Sequence, residues 1–154
     1  MVLQSTSSHF EYDLEMKIEP TGIGNLEVLP LRVFKKNSGK LAALEIAKNV
    51  PWPIQRIFFI SSVSSEHRGN HAHKECTQLI VCISGTVLIR CQDGMNQMDI
   101  TLSDLDSSLL VPPGIWVELQ MGPNTSIAVI TDLKYDEDDY INKWDDFLKF
   151  RGLV

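Results

Sequence analysis

From Arg56 to Thr131 the chain is written as short strand-like runs separated by turn residues, at a spacing of about eight to twelve. That rhythm leaves little room for anything except an all-β sandwich or barrel. Arg56–Ile60 is rich in aromatic and β-branched residues, which suit a pleated surface. Thr77–Ile83, Thr86–Cys91, Met98–Leu102, Ser108–Val111, Ile115–Leu119 and Ser126–Thr131 continue the pattern. The breaks are Ser84-Gly85, Asp93-Gly94, Pro112-Pro113-Gly114 and Pro123-Asn124, of which Asp-Gly is a strong hairpin signature.

Upstream, Leu26–Leu29 and Leu31–Phe34 read as strand pieces around Pro30, and Leu41–Ile46 as a strand by context. Residues 1–24 are expected to form an N-terminal arm or a swapped edge strand, and residues 25–154 one domain. The end changes character. In Asp136–Leu148, Tyr140, Ile141, Trp144, Phe147 and Leu148 fall at i, i+1, i+4, i+7 and i+8, the spacing of an amphipathic helix. The acids at its start would complement the helix dipole and face solvent.

The 154 residues carry a net charge of −6, which argues against a nucleic-acid partner. It does not exclude an anionic small ligand, because Arg56, Arg68 and Lys74 cluster around one stretch while the acids gather near the C-terminus. There is no run of about eighteen apolar residues to span a membrane. The first residues lack the basic and apolar regions of a secretory signal, so the cytoplasm is the expected compartment. Cys76, Cys82 and Cys91 have no CxxC spacing and are expected to be buried and reduced.

Chemistry concentrates in RGNHAHK, residues 68–74. On a strand, side chains at i and i+2 share a face, so His71 and His73 would look into one space. An HxH pair invites a metal, yet Gln78 stands where an acidic ligand would be wanted and the strand after Pro112 holds no histidine. Without a metal, two imidazoles suit proton transfer near neutral pH. Arg68 offers a donor fork for phosphate oxygens, and Gly69 permits close backbone approach.

RGNHAHK, Gln78, the LIVCISG run, the Pro112–Trp116 turn and the terminal DEDDYINKWDDFLKF segment, taken together and in this order, resemble the sugar-nucleotide 3,4-ketoisomerases (WxcM-like proteins acting on dTDP-4-keto-6-deoxyglucose). The likeness spans roughly residues 25–150. It implies a cupin-type jelly roll with a short C-terminal helix, and a homodimer that exchanges N-terminal strands. It further implies a nucleotide-sugar substrate, no metal or other cofactor, and a place in deoxysugar biosynthesis for surface polysaccharide such as O-antigen. The paired catalytic histidines carry over to His71 and His73, and the Arg-Gly arginine to Arg68. The family often carries tyrosine near the place of Phe58 and Phe59, where this chain has no phenol.

Moving a ketone from C4 to C3 needs removal of the C3 proton, an enediol, and reprotonation at C4. One imidazole would work at carbon and the other shuttle protons between the oxygens; His71 is assigned to carbon and His73 to the oxygens, an order the sequence leaves open. Arg68, Arg56 and Arg90 are candidates for the diphosphate, Trp116 for stacking on the sugar or base, and Gln78 for a hydrogen bond inside the cavity. Three alternatives stay open: epimerisation of the same keto sugars, a non-catalytic sugar-nucleotide binding module, and a metal cupin.

Overall fold

Alternation along each strand decides what lies inside. The computed structural model describes residues 19–20 and 23–154, so most of the expected N-terminal arm lies outside the described residues. In chain order the strands are β1 (Glu19–Pro20), β2 (Glu27–Pro30), β3 (Arg32–Lys36), β4 (Gly39–Ala43), β5 (Arg56–Ser62), β6 (Glu66–His73) and β7 (Gln78–Ser84). There follow β8 (Thr86–Gln92), β9 (Gln97–Ser103), β10 (Ser107–Val111), β11 (Trp116–Met121), β12 (Thr125–Thr131), β13 (Tyr140–Ile141) and helix α1 (Trp144–Phe150). One antiparallel sheet has the order β1-β2-β10-β7-β12-β5, a second β13-β6-β11-β8-β9, and β3-β4 is a separate hairpin. The fold is the expected all-β jelly roll with one short C-terminal helix.

Between the two sheets lies one core, in which Ile80, Cys82, Leu109, Ile127 and Val129 of the first meet Val87, Ile89, Cys91, Val117, Leu119 and Met121 of the second. The three cysteines are free and buried. A second layer explains why β7 reads as an unbroken apolar run. Its alternate residues Leu79 and Val81 face outward beneath Leu31 and Val50, flanked by Val33, Trp52 and Ile54, so the strand is covered on both faces.

The outer face of the five-stranded sheet is covered by the C-terminal segment, where Ala72, Trp116 and Ile141 pack on Phe147. Complete burial of Phe147 contributes about 1.5–3 kcal/mol. Here the structure corrects the expected helix. Glu137–Asp139 is a single 3₁₀ turn capped by Asp136, whose carboxylate accepts from Asp138 N at 3.0 Å. Tyr140 and Ile141 are extended and pair with His73 and Ala72. Only the end of the segment is helical. Neighbouring residues of a strand point to opposite faces, so Tyr140 follows His73 inward while Ile141 joins the outer cluster. The i, i+1 spacing fitted a helix by coincidence. Among the described residues no helix is long and apolar enough to cross a membrane.

Candidate active site

β6 carries the histidines because of an irregularity in its pairing with β11. Val117 lies opposite His71, Glu118 opposite Gly69 and Leu119 opposite Arg68, with a register shift between Val117 and Glu118. In a regular strand Arg68 and His71, three residues apart, would face opposite ways. The extra residue restores them to one side, the core side of Val117 and Leu119. Gly69 (φ +81) and Asn70 (φ 61) make the bulge. A Cβ on Gly69 would sit 2.6 Å from the carbonyl oxygen of Val117, so the close approach that glycine allows here is to the neighbouring strand.

His71 and His73 do share one space, with ring centroids 5.1 Å apart and edge-on. Their surroundings differ. His73 Nδ1–H donates to Asp139 Oδ2 at 2.7 Å, and its Nε2 accepts from the amide of Gln78 at 3.1 Å. The other oxygen of Asp139 accepts from Glu75 N at 2.7 Å. The backbone adds Lys74 N to Asp139 O at 2.9 Å and Gly114 N to His73 O at 2.8 Å, which tie the 132–141 segment and the Pro112-Pro113-Gly114 turn to the end of β6. Both nitrogens of His73 are therefore occupied by protein. Among the described residues His71 has no side-chain hydrogen bond, its one partner being the backbone of Gly69.

Burial pushes the His71 imidazole below its ordinary value, partly offset by the backbone of Gly69. Burial likewise lowers His73, against the opposing pull of Asp139, and the charge of Arg56 adds to the lowering. Burial alone would raise Asp139, but its hydrogen bonds from His73 and from the Glu75 amide outweigh that and hold it low. Near neutral pH the site thus holds a neutral, accepting His71 beside a neutral His73 oriented by a carboxylate.

Arg56, on β5 of the opposite sheet, shares the inner face with Phe58, and its guanidinium lies 4.4 Å from that ring and 5.1 Å from that of Tyr135. Arg68 pairs with Glu66 at 3.0 Å and remains half exposed. Two expected site residues are not brought there. Trp116 alternates with Val117, so it faces outward, donates to Glu118 Oε1 at 3.2 Å and stacks edge-on with Trp144. Arg90 also lies on the outer face, held by both oxygens of Asp99 at 2.9 Å. Gln78 is inside, but its amide serves His73.

A family model described as FdtA, WxcM-like C-terminal, matches residues 24–152. The chain belongs to this family. It is 36% identical over 126 residues to the TDP-4-oxo-6-deoxy-α-D-glucose 3,4-oxoisomerase of Aneurinibacillus thermoaerophilus, covering 79% of this chain and 91% of that protein. The crystal structure of a 3,4-ketoisomerase from Helicobacter canadensis superposes with a TM-score of 0.78 at 30% identity, covering 83% of this chain and 98% of that one. QdtA, a sugar 3,4-ketoisomerase from Thermoanaerobacterium thermosaccharolyticum solved in complex with TDP, gives 0.78 at 27% identity, covering 83% and 95%. As a WxcM-like FdtA protein the chain is an isomerase.

Two residues beside the paired histidines carry no signal in the sequence. Asp139 lay within an acidic run that reads as a solvated helix start, and Tyr140 within an apolar stripe. Tyr140 sits with its ring 4.3 Å from that of His73 and 5.1 Å from that of His71. Nothing local marks either, since their partner His73 is 66 residues from Asp139 and one more from Tyr140. The ligand atoms of His73, Cys76 and Asp139 lie within 4.8 Å of one another. The carboxylate is already divided between His73 and Glu75, however, and burial pushes the Cys76 thiol up to about 11. The arrangement is that of a hydrogen-bonded His–Asp pair beside a protonated thiol.

Proposed function

We propose that this protein converts a TDP-linked 4-keto-6-deoxy hexose, in the first instance dTDP-4-keto-6-deoxyglucose, to its 3-keto isomer through an enediol. The observation that carries the reading is the unequal engagement of the two histidines. His71 shares the inner face with His73 but keeps its imidazole available. It takes the proton from C3 as the C4 oxygen gains one. It returns a proton to C4 as the C3 hydroxyl becomes the carbonyl, so the protons balance. His73, bonded at both nitrogens, is a positioning residue that fixes the ring beside it. This revises the expectation that His73 shuttles protons. Arg56 and Arg68 supply positive charge for the diphosphate.

The protein works as a homodimer in the cytoplasm, where activated sugars are assembled. Ile57 and Phe59 on β5, the edge of the sheet among the described residues, and Val63 just beyond it, are 49, 72 and 87% exposed, which supports association between copies. Light scattering tests it, a monomeric mass being the refuting result.

The test of function is NMR product analysis after incubation of dTDP-4-keto-6-deoxyglucose in deuterated buffer, with wild type and His71→Asn. Expected is a 3-keto sugar carrying deuterium at C4, absent with the variant. A retained C4 ketone with inversion at C3 or C5 would make the protein an epimerase. TDP binding without turnover would make it a binding module.

A further inference from the structure

Shifting the carbonyl from C4 to C3 moves protons at two carbons and at two oxygens. His71 serves the carbons. The oxygens need a second group that can give a proton to O4 and take one from O3, in the same cavity and free of other duties. His73 is excluded by its bonds to Asp139 and Gln78 at 2.7 and 3.1 Å. Phe58, facing in from the opposite sheet, has no donor. Lys74 lies beyond the end of β6, is exposed, and gives its ammonium to Asp138 O at 2.5 Å. The Cys76 thiol is buried and held protonated. Tyr135, with its ring 5.7 Å beyond that of Tyr140, is 62% exposed.

Tyr140 remains. Its pairing with His73 across β13 and β6 puts its side chain on the inner face, and its ring touches both imidazoles. Its hydroxyl makes no hydrogen bond to any described residue. A half-buried phenol wedged against two histidines, with its polar end unused, is set to meet a ligand. We propose that Tyr140 is the acid–base group for the sugar oxygens, an assignment that rests on the isomerase reading above. Its hydroxyl gives a proton to O4 as His71 takes the C3 proton, forming the enediol. The phenolate then takes the O3 proton as the C3 carbonyl forms and the imidazolium delivers its proton to C4. Both groups end as they began. His71 and Tyr140 divide the work between carbon and oxygen.

The test is Tyr140→Phe, which keeps the ring and its packing and removes only the hydroxyl. Turnover of dTDP-4-keto-6-deoxyglucose should fall by about 10²–10⁴-fold, with TDP affinity by calorimetry and the melting temperature close to wild type. Turnover within three-fold of wild type overturns the assignment. So does a loss of turnover matched by a loss of TDP affinity or of melting temperature, because the hydroxyl would then be structural. A wild-type protein that makes no 3-keto sugar sinks the isomerase reading itself, and this inference with it. Wild-type turnover alongside an active Tyr140→Phe variant leaves the isomerase standing and removes only Tyr140.

Discussion

Asp139→Asn separates what holds the site from what reacts in it. One oxygen of Asp139 accepts from His73 and the other from the Glu75 amide, both at 2.7 Å, with the His73 and Asp139 side chains only 8 and 10% exposed. An asparagine has one acceptor oxygen and one NH₂ group, so it satisfies one donor and opposes the other. The loss is one hydrogen bond to a charged group in a mostly buried setting, about 1.5–3 kcal/mol. For a domain of this size each kcal/mol shifts the melting temperature by about 2–4 °C, so a fall of about 3–12 °C is expected. If the same energy orients His73 against His71 in the transition state, turnover falls about 10- to 150-fold. TDP affinity should stay near wild type, since the arginines are untouched. A double-mutant cycle supplies the check. With His73→Asn as background, adding Asp139→Asn should cost little further activity, because Asp139 acts through His73. Full activity and an unchanged melting temperature in Asp139→Asn would refute the reasoning, as would strict additivity in the cycle.

Gly69→Ala places a methyl against the Val117 carbonyl at 2.6 Å and forces a left-handed conformation on alanine. The strain should cost at least about 1–3 kcal/mol, read as a lower urea midpoint. His71 must be neutral to accept a proton, and burial lowers its pKa, so the acidic limb of kcat/KM should lie below about pH 6.5. Stability should run the same way. His73 and Asp139 both have lowered folded-state values, so the unfolded chain binds more protons. Stability is then fully present above pH 6.5, begins to fall as His73 titrates below it, and falls further as Asp139 does; chemical unfolding across that range checks it. Arg56→Ala should weaken TDP binding several-fold in calorimetry, while Arg90→Ala on the outer face should leave it within two-fold.

The β-rich class, the run of strands and the HxH pair were legible because each depends on spacing along one strand. A period of two on β6 put both imidazoles on one face, and the apolar run of β7 marked a strand, while its cover on both sides emerged only in the structure. Whether His71 or His73 stays free was not legible. Gln78 was marked as a cavity residue five positions from His73, but which imidazole it serves was not, and Asp139, 66 residues from His73, shows no local mark of its role. Trp116 and Arg90 lie away from the histidines for a related reason. Residue type can suggest stacking or phosphate binding, but strand parity relative to the buried core turns both outward.

The C-terminal segment shows the same division. Its apolar spacing said correctly that it buries a face, and the sequence alone carried that much. That the helical geometry stops after a 3₁₀ turn at Asp139, so that Tyr140 and Ile141 pair with the end of β6, was decided by tertiary structure. The 3₁₀ turn brings the Asp139 carboxylate to a buried ring nitrogen, and the extended backbone after it brings the Tyr140 phenol beside two imidazoles. A continuous helix would have left both in water.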